Sequence, residues 1–572
     1  MSHRRPFVCL CLATTCGFAL SVHASDGPFD PPAGYYSNLT GTGPALKDQL
    51  SSAMAAGHIQ RAYGEYRFAA VIIDADPNIA GNIFLVYNGA SVRGLWDSGN
   101  TWNREHVWPQ SRQPGDANNS TRGNLGDPHA LKPSNPSINS SRGNKPFGNA
   151  STTGSFGSLG SYYFPGDTDK GDIARSLFYS DTRWGPSLGL SLVNNFPSGN
   201  QMGGLDAQIA WHYLDPPDAF EVRRNHAIFS QGLNPSFYTN NRNAFIDLPG
   251  TVWSVYVNQA NNSTLFVGDS PDADGGSSVS VALNALVGAA LGPVEVMITK
   301  DGNDGVYFSV TATPGLVSSI VGSHNAFPIG SDGDQRPLTI AAAPGATASA
   351  GTLTGQVVID NLDVTLQGGA GNGGNDADDV ITIEITVYDG AVASFSPDTT
   401  IDEILLDLGI IQLGSGDAVA AFDFFNIAPA STGAPMDIDL VSAVGDSDAL
   451  STSFSPVVSL PAGASEMIIA SLSDEAAGDF EAVFTFAVFN DRALFAQPGP
   501  AQELTLRVTG QVAGVACPAD LAEPFGTLNF FDVLAFLTAF GQQDSLADFN
   551  GDQVINFNDA VLFLNQFNAG CP

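Results

Sequence analysis

From Val279 to Val512 the chain alternates β-forming and polar residues with a period of two. Examples are Val306-Tyr307-Phe308-Ser309-Val310, Ile381-Thr382-Ile383-Glu384-Ile385-Thr386-Val387 and Leu504-Thr505-Leu506-Arg507-Val508, and Gly, Asp and Pro turns separate the runs. Such a period places every second side chain on one face of a strand, so this stretch can bury its apolar residues only by packing sheet on sheet. β-Sandwiches are therefore predicted, and the length suits two, over 271–394 and 395–514, dividing near Ala391–Pro397. Upstream, 25–270 has no such rhythm: it is rich in Asn, Trp, His and Arg, with helical patterns around Leu46–Arg61 and Asp172–Tyr179. A mixed α and β domain is predicted there, followed by a polar linker at Ser270–Gly276.

Charge divides along the same line. The 572 residues include 22 Lys+Arg and 58 Asp+Glu, a formal net charge of −36, which taken whole argues against a partner held through its phosphates. Yet 25–270 carries 16 basic and 20 acidic residues, whereas 271–572 carries 4 and 38. Only the first half can accommodate a polyanion; the second half repels one.

The N-terminus reads Arg4-Arg5, an apolar run Phe7–Leu20 and Val22-His23-Ala24, the layout of a secretory signal peptide over 1–24 cleaved after Ala24. Twin-arginine and lipoprotein signals fit less well. The run is shorter than the ~20 residues that span a bilayer, and no later apolar stretch reaches that length, so a secreted or cell-surface protein without a transmembrane segment is predicted. Of five cysteines, three fall in the leader; Cys517 and Cys571 remain, and in an exported chain they are predicted to form one disulfide.

Between them lies Asp548-Phe549-Asn550-Gly551-Asp552-Gln553-Val554-Ile555-Asn556-Phe557-Asn558-Asp559. Oxygen side chains at Asp548, Asn550, Asp552, Asn556 and Asp559, with the Val554 carbonyl, have the spacing of an EF-hand-type Ca²⁺ loop. Ala560–Leu564 continues as a helix, and Phe530–Phe540 repeats the theme. The segment 515–572 resembles a dockerin module, although Asp520–Gly526 lacks the oxygen ladder, so its first loop is expected to be metal-free. The resemblance implies docking to a cohesin-like or cell-surface partner; a structural Ca²⁺ clamp without a partner is the alternative. Leu406-Asp407-Leu408-Gly409 and Leu413-Gly414-Ser415-Gly416 resemble the opening of Ig-like modules. The acidic turns Asp301-Gly302-Asn303-Asp304 and Asp376-Ala377-Asp378-Asp379 are either solvated loops or further Ca²⁺ sites.

The chemistry-bearing residues cluster in the first half: Trp102-Asn103-Arg104-Glu105-His106-Val107-Trp108-Pro109-Gln110-Ser111, then Asp127-Pro128-His129-Ala130-Leu131-Lys132-Pro133 and Asn139-Ser140-Ser141-Arg142-Gly143-Asn144. An adjacent Glu-His says little alone, since on a strand the two point to opposite faces. With the second cluster, and with Lys170–Arg175, Asp181–Arg183, Trp211-His212, Glu221–Asn225 and Asn241–Asp247 in series, residues 30–255 resemble the endonuclease I family of secreted or periplasmic bacterial nucleases, of the ββα-metal (His-Me finger) group.

That resemblance implies roles residue by residue. His106 matches the general base, and Glu105 and Asn139 match the ligands of a single Mg²⁺. Arg142 and Asn144 brace the metal-bearing helix or touch phosphate, and Arg112 and Arg122 are alternative contacts to the product phosphate. His129 is expected to orient a neighbour. A neutral imidazole can take a proton from water while a cation offsets charge on the leaving 3′-oxygen, and two hard oxygens suit Mg²⁺, which keeps several waters. The reading is a multidomain, secreted, Mg²⁺-dependent non-specific endonuclease: an α+β ββα-metal domain, Ig-like β-sandwiches and a small helical dockerin-like Ca²⁺ module. It is expected to cut DNA, with RNA also in reach, leaving 5′-phosphates. The competing reading is a non-catalytic surface or matrix protein that binds nucleic acid and is anchored by the dockerin-like module; a sugar-polymer enzyme lacks any placed carboxylate pair.

Overall fold

The computed structural model describes residues 28–272, 275–365, 377–495, 502–514 and 517–570. The predicted leader 1–24 and Cys571 of the predicted disulfide lie outside the described residues. The chain divides into two compact units, Met1–Val281 with Leu291–Pro344 and Thr354–Glu384, and Ala282–Ala290 with Gly345–Leu353 and Ile385–Pro572.

In the first unit, the helix Gly43–Ala55 buries Leu46, Leu50 and Met54 at a spacing of one helical turn. It stops short of the predicted Arg61 because Ala56 leaves helical geometry at ψ 116° and Gly57 takes φ +67°. The helix Lys170–Leu188 runs past Asp172–Tyr179 at both ends, until Gly189 turns left-handed at φ 67°. Its Ile173, Leu177 and Phe178 share one core with Leu46, Leu50, Met54, Trp211 and Phe245.

Buried ion pairs tie the elements of this unit together. Arg175 Nε donates to both Glu221 oxygens at 2.9 and 2.8 Å. Arg224 Nε donates to Asp74 at 2.7 Å, and its Nη2 to the carbonyls of Pro128 at 3.0 Å and Leu131 at 2.6 Å. Arg242 reaches Asp247 at 2.7 Å. Removing one member of such a pair strands a buried charge, which costs about 3–5 kcal/mol. Arg224 thereby fixes the start of the strand Leu131–Ser134, which pairs antiparallel with Asn103–His106. The helix Pro136–Arg142 follows at once, with Pro in its first turn and the Asn135 side chain accepting the Ser137 and Ile138 N–H groups.

The period-two stretch begins in the same unit. A four-stranded sheet orders Leu316–Ser318, Gln335–Ala342, Val294–Asp301 and Thr264–Val267, and the strand Val306–Ala312 pairs antiparallel with Gly322–Phe327 on one side and with residues 357–361 on the other. Within this unit the strand Val306–Ala312 meets the helix Leu205–Leu214. The Tyr307 hydroxyl donates to the His212 carbonyl at 2.5 Å, and Tyr213 donates to Asp363 at 2.7 Å. The Tyr307 N–H also donates to Asp363, and the rings of Tyr213 and Tyr307 lie 5.2 Å apart. Tyr307 and Ala326 therefore belong to the same core as Trp211 and Tyr213.

In the second unit, the strands Ala393–Ser394, Ala418–Asn426, Ser465–Leu472 and Leu450–Thr452 form one sheet. Glu403–Gln412, Gln502–Ala513, Gly478–Asn490, Met436–Gly445 and Val457–Leu460 form the other, its first pair parallel. Phe422, Phe424 and Ile468 of one sheet share a core with Met436, Phe486 and Leu506 of the other, which makes the pair a sandwich. The helices Phe530–Gln542 and Phe557–Ala569 each open with a capping box, Asn529 with Asp532 and Asn556 with Asp559. Phe536 and Phe563, equivalent positions in the two helices, stack at 4.1 Å and 1°.

Candidate active site

The strand Asn103–His106 sorts its side chains by parity. Asn103 and Glu105 face the helix Pro136–Arg142, where Asn139 and Arg142 lie one turn apart: Asn139 Nδ2 donates to Asn103 Oδ1 at 2.7 Å, and Arg142 Nη1 to Glu105 Oε1 at 3.0 Å. Glu105 is buried, and Tyr87 donates to the same Oε1 at 2.6 Å, leaving Oε2 without a hydrogen bond among the described residues. Burial pushes the Glu105 carboxyl above its ordinary range, against the pull of Arg142 and Tyr87. The Asn139 amide oxygen likewise makes no bond to the described residues. Two hard oxygens on facing elements thus remain open, a donor set that suits a divalent cation carrying waters. Among the described residues no group of three or more His, Cys, Asp or Glu gathers as a metal cluster.

Arg104 and His106 occupy the opposite face. His106 Nε2 lies 3.0 Å from the Leu125 carbonyl. A carbonyl can only accept, so Nε2 carries the proton and the lone pair sits on Nδ1. Burial lowers the His106 pKa to about 4, with Arg104 and Arg142 adding to the effect and the Leu125 contact opposing it. The ring is therefore neutral at neutral pH, and it stacks on Tyr63 at 4.8 Å and 25°.

The other predicted residues separate. Arg142 is buried and gives its remaining bonds to the carbonyls of His106 at 2.9 Å and Val107 at 2.7 Å, so it fastens the helix to the strand end and has no nitrogen turned to solvent for a phosphate. Arg112 donates to the Asn144 carbonyl at 3.2 Å and the Pro197 carbonyl at 3.1 Å, which brings Arg112 and Asn144 together. Arg122 is 56% exposed and donates to the Gln60 carbonyl at 2.7 Å. His129 is buried among Asp127, Tyr179 and the Asn241 carbonyl, away from solvent.

In the C-terminal loop, Asp548 accepts the N–H groups of Gly551 and Gln553, Asn550 that of Asp552, Asp552 that of Val554, and Asn556 that of Asn558. Asp559 accepts from Phe549, Asn550 and Asn556, while the Val554 carbonyl accepts from Asn556. The predicted Ca²⁺ donors are thus all in one loop, each also engaged by the loop's own amides. Cys517 opens this module; its predicted partner Cys571 lies outside the described residues.

Three site residues escaped the sequence reading. Asn103 was findable, because it lies two positions before Glu105 on a strand. Tyr87 and Tyr63 come from remote turns without a motif. Tyr87 is held at φ +75°, unusual for a bulky residue, with its N–H donating to Asp169 at 3.1 Å.

The family model for Endonuclease I matches residues 48–250. The extracellular ribonuclease of Bacillus subtilis (strain 168) is 35% identical over 246 residues, 41% of this chain and 82% of that protein. The extracellular ribonuclease of Bacillus amyloliquefaciens is 34% identical over 257 residues, 42% of this chain and 85% of that protein. A solved structure of a protein of unknown function from Porphyromonas gingivalis W83 aligns with 43% of this chain and 96% of its own at 14% identity, with a TM-score of only 0.17. The family model and the two ribonucleases define the class as nucleases, hydrolases of nucleic acid. This chain belongs to the Endonuclease I family. No helix among the described residues is long and apolar enough to cross a membrane.

Proposed function

We propose that the protein is a secreted, non-specific endonuclease of the ββα-metal type, with the strand Asn103–His106, the strand Leu131–Ser134 and the helix Pro136–Arg142 as its catalytic unit. The observation that carries the reading is the parity of the first strand: Glu105 meets the helix that bears Asn139, while His106 presents an unprotonated Nδ1 on the other face. Glu105 Oε2 and Asn139 Oδ1 would hold one Mg²⁺. Bound there, such a cation supplies charge neutralisation for the phosphate and its leaving 3′-oxygen. His106 Nδ1 takes a proton from the attacking water, and the Leu125 carbonyl steadies the imidazolium through Nε2–H. The approaching phosphate anion raises the depressed His106 pKa, so base strength grows as substrate binds. Tyr87 and Arg142 keep Glu105 in place, and Arg112, with Asn144 beside it, and Arg122 are the candidates to touch product phosphate.

RNA and DNA are both substrates in this reading: nothing in the site reads base edges, and the relatives are named as ribonucleases. The segment 515–572 is proposed to serve as a dockerin-like anchor to a cohesin-like or cell-surface partner, with Ca²⁺ in the loop Asp548–Asp559 and a Cys517–Cys571 disulfide. The test uses the full chain, incubated with supercoiled plasmid and with a long RNA, in Mg²⁺ and after chelation. Cleavage of either polymer that is abolished by chelator, falls at least a thousandfold in His106→Ala, and falls likewise in Glu105→Ala and Asn139→Ala is the expected result. Cleavage by His106→Ala at the wild-type rate would overturn the assignment.

A further inference from the structure

Beside the proposed base, aromatic rings and guanidinium groups alternate in a row that the cleavage chemistry does not use. His106 stacks on Tyr63. The Arg104 guanidinium lies 3.7 Å from the Tyr63 ring centre and 5.1 Å from that of Trp96. Arg67 comes next, 5.9 Å from Trp96 and 5.2 Å from Phe68. Phe68 then stacks with Phe237 at 6.3 Å and 24°. The row is anchored from below, since Trp96 packs edge-on against the fully buried Trp102 at 4.9 Å.

Two features of the row bear on what it could bind. Neither Arg104 nor Arg67 has a carboxylate partner among the described residues, although the chain has 58 acidic residues to offer. Their bonds go to neutral oxygens, of Tyr63 and Asn119 for Arg104 and of Gly64 for Arg67. Burial lowers the Arg104 pKa, Tyr63 opposes this, and the nearby Arg67 charge adds to the lowering. Two unneutralised cations held together are relieved by an anion. The second feature is exposure: Phe68 keeps 52% of its surface in water at the end of the row, where a flat apolar partner would cover it.

A polyanion with flat rings at each repeat has both complements, and in a duplex those rings are already stacked on one another and out of reach. We propose that the row Tyr63–Arg104–Trp96–Arg67–Phe68 is a stacking platform for single-stranded nucleic acid, which lays unpaired bases on Trp96 and Phe68 and phosphates against Arg104 and Arg67. It extends the substrate site outward from His106 and makes unpaired strands the preferred class of substrate. This rests on the assignment of His106 as the cleavage centre only for its direction; the binding it describes stands apart from cleavage. Stacking on an aromatic ring is worth about 1–3 kcal/mol per base, so loss of one ring weakens binding by roughly tenfold.

The test measures binding of the full chain by fluorescence anisotropy, with fluorescent phosphorothioate probes that resist cleavage: a single-stranded oligonucleotide, the blunt duplex of the same sequence, and an abasic strand of equal length. The single strand is expected to bind more tightly than the duplex. Phe68→Ala should weaken the single strand about tenfold and leave the abasic strand within twofold. Arg67→Ala should weaken the single strand and abasic strand alike and flatten the salt dependence by one ion. Melting temperatures of both variants, each altered at an incompletely buried side chain, check that they fold. Equal affinity of the single strand for wild type and Phe68→Ala, or equal losses on single strand and duplex, would overturn the platform. If the wild type binds as expected yet cuts nothing, only the cleavage assignment falls; if it cuts while Phe68→Ala binds as wild type does, only the platform falls.

Discussion

Tyr87 is the residue on which the candidate site's geometry turns. Its strained backbone is held by Asp169, and its hydroxyl shares Glu105 Oε1 with Arg142. Removing a hydrogen bond to a buried charge costs about 1.5–3 kcal/mol. Tyr87→Phe should therefore lower the melting temperature and raise the Mg²⁺ concentration for half-maximal cleavage several-fold. An unchanged Mg²⁺ dependence would show that Arg142 suffices to position Glu105. His129 gives a prediction about pH. Burial lowers its pKa to about 4, with Arg224 and His58 acting in the same direction and Asp127 opposing. The unfolded chain takes up that proton near 6.5, so between 6.5 and 4 the unfolded state holds the extra proton and stability falls as pH drops. The slope of unfolding free energy against pH in that window should be shallower in His129→Gln, by at most about 1.4 kcal/mol per pH unit; parallel slopes would mean His129 titrates normally.

At the scale of elements, the turn before Val306–Ala312 decides how well that strand seats. A Cβ at Gly305 would lie 2.7 Å from the Tyr213 ring, which is itself packed against Tyr307 and bonded to Asp363. Overpacking of this sort costs about 1–3 kcal/mol, so Gly305→Ala should lower the unfolding midpoint in urea. The alternation around Tyr307 announced a strand, and Glu105 and His106 were legible because a strand's parity is fixed by sequence, which also put the overlooked Asn103 on the face of Glu105. What was not legible is what depends on distant chain. That the outward residues of Val306-Tyr307-Phe308 would be buried by a helix rather than water, that Tyr87 would turn toward Glu105, and that Tyr63 would lie under His106 are consequences of tertiary packing, and no local pattern encodes them. Helix ends failed for a similar reason: the break after Ala55 waits on the left-handed turn at Gly57, whereas a periodic pattern continues to Arg61.

For the whole molecule, the uneven charge carries a prediction. Residues 271–572 hold 38 acidic and 4 basic residues, and at low ionic strength, where the Debye length reaches about 30 Å at 0.01 M, such a field slows approach of a polyanion. A chain ending near 390 should cleave with a several-fold higher kcat/KM than the full chain at 0.01 M salt, and the two should converge above 0.15 M. A constant ratio across salt would assign the difference to something other than charge.

The hydroxyl of Tyr307 against the His212 carbonyl also bears on where the chain can be divided. The place where amino-acid usage changes is not the place where the folded body can be cut. A biotechnologist lifting out 25–270 as a stand-alone reagent would leave Tyr213 without the Asp363 carboxylate and the Tyr307 ring that cover it. The sounder excision keeps the neighbouring strands through Tyr388.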